Sequence, residues 1–196
     1  MSWKIEEIDR RKFMAAAGTA SVLGALGAGS TASAAPGAYV IPEQFQPRAV
    51  RIQPGFKVGT IHVFTEYHFL YYITEERQAI RYGVGVGEQG RQFSGTATVG
   101  RKAEWPSWTP TANMIARQPE LYEKYAAGMP GGPENPLGAR ALYLYRNGRD
   151  TMYRIHGTTA PYSIGQSVSN GCIRMVNAHV EDLYTRVPVG TRVYVT

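Results

Sequence analysis

From Val58 onwards, hydrophobic and polar positions alternate in short runs, which predicts β-strands joined by turns. The stretch "KVGTIHVFTEYHFLYYIT" has two β-branched and aromatic runs around the polar "TEY", which predicts a hairpin. Two further strands are predicted in "QAIRYGVGV" and "FSGTATVGRKAEW". The clearest hairpin lies in "ARALYLYRNGRDTMYRIHGT", with Asn147 and Gly148 at its turn. The closing "GTRVYVT" predicts a last strand.

Two stretches depart from this β pattern. In "WPSWTPTANMIARQPELYEKYAAGMPGGPENPLG", Thr111 is predicted to cap a short helix and Pro119 to begin another, in a lid-like insertion over 105–138. Near the end of the chain, Asn177 is predicted to cap a third helix. The apolar face of that helix holds Val180, Leu183, Tyr184 and Val187. The predicted fold class is mainly β, one domain over 58–196 with a few short helices.

Residues 1–34 have the composition of an export signal, with basic residues, a short apolar stretch and a small-residue cleavage site. Arg10 and Arg11 resemble the twin-arginine signature, which predicts a periplasmic protein exported by that route. The alternative is a membrane anchor, but the stretch is too short and too rich in Gly, Ser and Thr to span a bilayer. The mature chain is therefore predicted to have no transmembrane helix. Residues 35–57, rich in Pro and Gly, are predicted to be a tail or linker.

Charge and cysteine content narrow the function classes. The 196 residues include 21 Lys and Arg against 15 Asp and Glu, for a net charge of +6. The basic residues are scattered and no basic tract is interleaved with aromatic residues, so a nucleic-acid partner is not predicted. The only cysteine, Cys172, cannot form an internal disulfide. In an exported protein such a cysteine is a reactive thiol, an intermolecular partner or a small buried apolar residue.

Two common cofactor signals do not apply to this chain. Gly85, Gly87 and Gly90 match the dinucleotide pattern G-x-G-x-x-G, but a strand-like stretch follows them where a helix is needed, which indicates a strand end and a turn. The histidines lack the close spacing of metal ligands, so neither a metal nor another cofactor is predicted. Three histidines are predicted to have ordinary roles, two on or beside strands and the third on the surface: His62, His68 and His179.

His156 differs from the other histidines because it ends a strong strand and is followed by Gly157 and Thr158. The loop "TTAPYSIGQSVSNG" then leads to Cys172 and is long enough to bring the thiol back beside the imidazole. A neighbouring imidazolium lowers the pKa of a thiol, so the pair predicts a thiolate at neutral pH. An inert buried thiol is the alternative.

The residues around Cys172 suit such a nucleophile. Gly171 allows backbone conformations closed to other residues and leaves room for a substrate carbonyl to approach the amides around Cys172 as an oxyanion hole. Arg174 lies two positions after the cysteine, on the same face if the segment is extended. It is predicted either to bind a substrate carboxylate or to brace the loop.

The segment "HGTTAPYSIGQSVSNGCIRMVN", followed by "VEDLYTRVPVGTRVYV", resembles the active-site segment of the L,D-transpeptidase family, the YkuD-type catalytic domain. That family carries a His-Gly, a loop, and then Ser-x-Gly-Cys followed by an aliphatic residue and Arg or Asn. The likeness runs from about Val58 to Thr196. Many members have His between the Ser and the Gly, whereas this chain has Asn170, which cannot titrate near neutrality.

The resemblance implies a β-sandwich with Cys172 as nucleophile, His156 as its base, and the backbone amides of Gly171 and Cys172 as oxyanion hole. It implies no cofactor. The residues that would bind the substrate or support the site are Ser169, Asn170, Arg174, Gly157 and Thr158.

The resemblance also implies a reaction on peptidoglycan stem peptides. Family members cleave the bond between the third residue of a stem tetrapeptide and its terminal D-alanine, and an acyl-thioester forms on the cysteine. The acyl group passes to an amine of a second stem, giving a 3→3 cross-link, or to an outer-membrane protein. Carbapenems typically acylate the same cysteine.

Three alternatives remain open from the sequence. Water could be the acceptor, which would make the protein an L,D-carboxypeptidase. A papain-like or NlpC-type hydrolase would place the cysteine at a helix start and use a later histidine, for which His179 is the candidate. A non-catalytic module could bind the cell wall through the same groove.

Overall fold

The computed structural model describes the backbone of Glu6–Glu7 and all of residues 39–196. Arg10 and Arg11 of the predicted twin-arginine signal, and its predicted cleavage site after Ala34, lie outside the described residues. The strands are β1 (Glu6–Glu7), β2 (Arg48–Arg51), β3 (Ile61–Phe64), β4 (Phe69–Glu75), β5 (Gln78–Gly83), β6 (Val86–Gly87), β7 (Gly95–Glu104), β8 (Arg140–Arg146), β9 (Arg149–His156), β10 (Ser167–Ser169), β11 (Ile173–Arg174) and β12 (Arg192–Val195). The α-helices are α1 (Ala112–Arg117), α2 (Pro119–Tyr122) and α3 (Asn177–Arg186), with 3₁₀ turns at Glu43–Phe45, Glu123–Tyr125 and Pro161–Ser163.

Ten of these strands form one mostly antiparallel sheet in the order β1-β2-β5-β4-β3-β12-β7-β8-β9-β11, and β6 pairs with β10 separately. Buried residues of β3, β4 and β5 pack in the same cluster as buried residues of β7, β8 and β9. The sheet must therefore curve until its two halves face each other, which gives the predicted sandwich-like core. Val180 and Leu183 of α3, together with Val187 directly after it, join this core, as their spacing predicts.

The hairpins form where turn residues interrupt the alternating runs. β8 and β9 are joined at Asn147 and Gly148, both of which have positive φ, as the Asn-Gly pair predicts. Thr111 caps α1 by accepting a hydrogen bond from the Met114 N–H at 3.2 Å, which confirms the predicted cap. Among the described residues, no helix is both long enough and apolar enough to cross a membrane.

The segment predicted as a tail or linker, 35–57, contains regular structure in its described part. Arg48–Arg51 forms β2, which pairs antiparallel with β5, and Val50 and Ile52 are buried. The two apolar residues lie two positions apart and face the same side of the sheet. This alternation is short and is flanked by Pro and Gly residues, so the local sequence pattern did not predict a strand here. Where the domain begins remains a prediction.

The prediction that His179 lies on the surface is wrong. Its residue is only 8% exposed, because the inner face of α3 includes His179 beside Val180 and Leu183. The first turn of a helix packed on a sheet has an inner face like any other turn, so position in the helix was a poor guide to exposure.

Candidate active site

Cys172 lies in the short connection between β10 and β11, and Ser169 holds that connection in shape. The Ser169 hydroxyl donates to the Cys172 carbonyl at 2.6 Å and accepts from the Gly171 N–H at 3.1 Å. Ser169 is buried, so both bonds are protected from water. Because the Gly171 N–H is already bonded in this conformation, it is not free to act as one of the two predicted oxyanion donors.

Gly171 has a conformation and surroundings that only glycine tolerates. Its φ is +127°, and a Cβ at this position would lie 2.5 Å from Cε1 of Tyr153 and 2.6 Å from the Arg91 carbonyl oxygen. The sequence predicted this glycine from the room it would leave for a substrate. The structure gives a different physical reason, since protein atoms already occupy the space that a side chain would need.

β11 brings the cysteine segment beside the strand that ends in His156. The two strands are parallel, with Ile173 opposite Ile155 and Arg174 opposite His156. The two isoleucines are buried in the core, so the intervening residues project from the opposite face. Arg174, His156 and the neighbouring Cys172 therefore share a face, as the sequence predicted for Cys172 and Arg174.

His156 is 4% exposed, and its ring orientation is fixed by the backbone. Nδ1 lies 2.5 Å from the Gly157 carbonyl oxygen, which can only accept a hydrogen bond. The proton of a neutral ring is therefore on Nδ1, which leaves the Nε2 lone pair available to accept a proton. Burial lowers the pKa of His156 to about 4, opposed by the Gly157 and Leu137 carbonyls and reinforced by Arg174 and Arg154.

The surroundings of Cys172 also favour its neutral form. Burial raises the pKa of the thiol, while the Arg154 backbone N–H and the charges of Arg154 and Arg174 oppose that rise. The S–H group donates to the Met152 carbonyl, with 3.9 Å between Sγ and oxygen. Among the described residues, Sγ has no hydrogen bond to the His156 ring. Burial disfavours both charges of the predicted thiolate–imidazolium pair in this conformation.

A local irregularity of β9 directs the backbone carbonyl of Met152 towards the Cys172 thiol. The pairing of β9 with β8 shifts between Tyr143 and Tyr145, and Met152 has a φ of +65°. Such bulges redirect a strand residue towards a site. Two positions further along β9, the Arg154 guanidinium is fixed by two hydrogen bonds to Asp150, at 2.7 and 3.0 Å. Neither role was predicted, although Arg154 lies two positions before His156, where period-2 alternation could have pointed to it.

Asn177 supports the backbone around His156 instead of capping α3, so that prediction is wrong. Its Oδ1 accepts from the Thr158 N–H at 3.2 Å and from the Ala139 N–H at 3.1 Å, and it makes no side-chain cap. Gly157 leaves the space for this contact, because a Cβ there would lie 2.1 Å from the same oxygen. Gly157 and Thr158 thus contribute to the site through their backbones.

Replacing Asn177 by alanine is expected to lower the free energy of unfolding by about 2–4 kcal/mol, because two backbone N–H groups lose their acceptor in a buried region. Asn177→Asp keeps an acceptor oxygen for both N–H groups and serves as the matched control, with a smaller loss. Urea denaturation followed by circular dichroism measures both variants. Equal stability of the alanine variant and the original protein would contradict the bracing role.

The thiol opens onto a cleft of about 830 Å³ between the cysteine segment and the insertion over 105–138. Asn170 lies at this border, where its Oδ1 accepts from Arg117 Nη2 at 3.2 Å and from Arg91 Nη1 at 3.4 Å. Its Nδ2 lies 3.4 Å from the Tyr122 hydroxyl of the insertion. Cys172 lines the cleft, whereas His156 is buried and is not among the residues that line it.

The structure also locates the glycine pattern and the metal-ligand residue types considered in the sequence. Gly85 directly precedes β6, Gly87 ends it and Gly90 lies in the turn that follows. The next element is β7, so the glycines are not followed by a helix N-terminus that could hold a dinucleotide phosphate. Within residues 39–196, no three His, Cys, Asp or Glu side chains lie close enough together to hold a metal ion.

The papain-like alternative is contradicted by the position of the cysteine. Cys172 precedes the short strand β11, not a helix, and α3 begins only at Asn177. The histidine that this alternative requires, His179, lies buried on the inner face of α3.

The described residues thus form a mainly β domain in which Cys172 lines a cleft and His156 lies buried at the end of the adjacent strand. A family model described as the YkuD L,D-transpeptidase catalytic domain matches residues 59–195. The chain belongs to this family.

Individual relatives agree with the family match. The protein named "Probable L,D-transpeptidase YbiS" from Escherichia coli K12 is 41% identical over 137 residues, which cover 69% of this chain and 43% of that protein. A Brucella melitensis crystal structure, named "Probable carnitine operon oxidoreductase caia", is 50% identical with a TM-score of 0.55 and covers 77% of this chain and 93% of that one. That name refers to the Brucella protein.

A mutant of the Enterococcus faecium L,D-transpeptidase has the same fold. Its crystal structure is 16% identical with a TM-score of 0.53, and covers 71% of this chain and 50% of that one. At this identity the likeness bears on the fold alone. The chain spans under half the length of the curated relatives it matches, 43% of YbiS and 47% of ErfK/SrfK from E. coli K12.

Proposed function

We propose that the protein is a cysteine-dependent L,D-transpeptidase that acts on peptidoglycan stem tetrapeptides. One observation carries the proposal: Cys172 lines a cleft and directly precedes β11, which pairs with the strand that ends in His156. The Nδ1 of His156 is bonded to the Gly157 carbonyl, so its Nε2 is available as a base. Family membership supports the substrate class. Export to the periplasm, by the twin-arginine route that Arg10 and Arg11 suggest, belongs to the same proposal.

The acylation step begins from the neutral pair. When a stem peptide enters the cleft, the thiol leaves the Met152 carbonyl and transfers its proton to Nε2 of His156 as Sγ attacks the carbonyl carbon of the third residue. The bond to the D-alanine nitrogen then breaks, and the His156 proton passes to that nitrogen. D-alanine leaves with a neutral amine, and the acyl group remains on Cys172 as a thioester.

The second step reverses these roles. An amine of a second stem, or of an envelope protein, attacks the thioester carbon and gives its proton to His156. The carbon–sulfur bond breaks, and Sγ recovers the proton. We assign the Cys172 N–H as the main oxyanion donor, since the Gly171 N–H is held by Ser169. Arg174, which lies opposite His156 in the pairing of β11 with β9, would brace Cys172 and His156.

The test is to incubate the protein with purified peptidoglycan sacculi and to analyse the muropeptides by mass spectrometry. We expect free D-alanine, a thioester adduct in the intact-protein mass, and cross-linked or protein-linked products. Protein alkylated at Cys172, its only cysteine, is the control and is expected to release no D-alanine.

The products also separate the alternatives. Tripeptide stems without a new amide bond would identify water as the acceptor and the protein as an L,D-carboxypeptidase. Binding to sacculi with neither D-alanine release nor adduct would identify a non-catalytic wall-binding module and overturn the proposal.

A further inference from the structure

The cleft that contains Cys172 is strongly cationic. Four arginines are among the described residues that line it, and none of those residues is Asp or Glu: the four are Arg91, Arg101, Arg117 and Arg154. A cleft lined by one sign of charge concentrates ligands of the opposite sign. The cleft therefore favours an anionic ligand.

Two of the four charges are already compensated within the protein. Arg154 makes a two-bond ion pair with Asp150, and Arg91 lies 2.8 Å from a carboxylate oxygen of Glu88. Arg101 and Arg117 have no carboxylate partner among the described residues. The Arg101 guanidinium stacks over the Tyr143 ring, 3.5 Å from its centroid. The Arg117 guanidinium instead points to the segment that carries Cys172.

Arg117 is held in this direction by its own helix. Its Nε donates to the Asn113 carbonyl at 3.0 Å, and its Nη2 donates to the Asn170 Oδ1 at 3.2 Å. Arg91 donates to the same oxygen at 3.4 Å, so two guanidinium groups share one neutral acceptor. A carboxylate has two charged oxygens and forms shorter, stronger bonds with guanidinium groups than an amide oxygen does. The two groups are thus arranged for a carboxylate.

The position of this pair relates it to the reaction. Asn170 lies two residues before Cys172, and both line the same cleft as Arg91 and Arg117. A carboxylate bound between the two arginines would therefore belong to a molecule that passes the thiol. On the proposed function, on which this inference rests, that molecule is a peptide stem.

We propose that Arg117, assisted by Arg91, forms a binding site for a carboxylate of the peptide substrate next to Asn170. Two carboxylates could occupy it, the terminal group of D-alanine or one within the stem. The shared chemistry is a carboxylate in contact with two guanidinium groups. The site selects peptides that carry the free acid over those that carry the amide.

The test uses three synthetic tetrapeptides: one with all carboxylates free, one amidated only at the terminus, and one amidated only within the stem. kcat and KM for cleavage are measured with the full chain and with Arg117→Gln. Arg192→Gln, an exposed arginine on β12 outside the cleft, is the charge-matched control. The same peptides are titrated by calorimetry into Cys172→Ala, with and without Arg117→Gln.

We expect the unmodified protein and Arg192→Gln to have a KM about tenfold to hundredfold higher for one amidated peptide, because a charge-assisted bond is lost. The peptide that shows this effect identifies the carboxylate. Arg117→Gln should bind the free and amidated peptides within about threefold of each other, since it lacks the bond in both cases.

Two results would overturn the site. Arg117→Gln could keep the full preference for the free acid, or it could slow all three peptides equally, which is what a mere brace for Asn170 would do. Failure of the proposed function gives a different pattern, in which the unmodified protein cleaves no peptide. In that case calorimetry with the Cys172→Ala variant still tests the carboxylate site. If Cys172→Ala with Arg117 intact binds the free and the amidated peptides equally, the proposed site is overturned.

Discussion

Replacing Cys172 by alanine is expected to reduce D-alanine release from stem tetrapeptides by at least about ten-thousandfold, to the uncatalysed background. The proposed reaction needs a covalent bond to Cys172 Sγ. This atom is the only thiol sulfur in the chain and the only proposed nucleophile on the cleft. The thioester adduct, and the adduct formed with a carbapenem as a probe, should disappear together from the intact-protein mass.

Cys172→Ser is the matched control for geometry, because it keeps the size and hydrogen-bonding of the side chain while it replaces sulfur by a far less acidic hydroxyl. We expect it to be nearly as inactive. Both variants should unfold within about 1–2 kcal/mol of the original protein, since the side chain is small and only half-buried. D-alanine release by a folded Cys172→Ala variant at more than a tenth of the normal rate would show that another group carries the reaction.

The parts of the site that lie close together in the sequence could be predicted from it. His156 and Gly157 end the β8–β9 hairpin, whose turn is set by Asn147 and Gly148. The loop back to Cys172 then needs only to be long enough, and the short strand β11 fixes it against β9. Local patterns of alternation and turn residues decide these features.

The parts built from distant segments were missed. Asn177 stands where the local sequence predicts a helix start. Its side chain instead accepts hydrogen bonds from the backbone N–H groups of Ala139 and Thr158, which are distant in the sequence. Arg117 reaches Asn170 from a helix in the insertion. A local sequence pattern contains no information about contacts with distant segments. From the pattern alone, such a side chain is therefore predicted to cap a helix or to lie on the surface.

The protonation states of the pair depend on burial, which a local pattern does not specify. A histidine beside a cysteine suggests an ion pair when only the two residues are considered. In the folded protein, burial acts on both groups and favours the neutral thiol and the neutral imidazole. Burial depends on how the whole sheet closes over His156, which spacing along the chain does not specify.

His156→Gln is expected to lower kcat/KM for D-alanine release by about a thousandfold at pH 7, because the base that accepts the thiol proton is lost. The unmodified protein should keep its activity from pH 7 to about pH 5 and lose half of it near pH 4. Below that value the imidazole, whose pKa burial lowers to about 4, carries a proton and cannot act as a base. The measurement is the pH profile of kcat/KM for both proteins.

Unfolding in acid has to be separated from this titration. Between pH 6.5 and about pH 4, His156 is protonated in the unfolded chain but not in the folded protein. Because the unfolded state then binds more protons, the free energy of unfolding decreases as the pH is lowered. This single group removes about 3 kcal/mol across that window. Circular dichroism at each pH establishes that the protein assayed is folded.

His62→Gln is the matched control, because burial also lowers the pKa of His62 to about 4 while its ring packs against Tyr194 on β12, outside the cleft. That variant should keep both the rate at pH 7 and the loss of activity near pH 4, whereas the residual activity of His156→Gln should no longer show that loss. An acid midpoint near pH 6.5 in the unmodified protein would mean that His156 is solvated when substrate binds. A midpoint near pH 4 that persists in His156→Gln would assign the base to another residue.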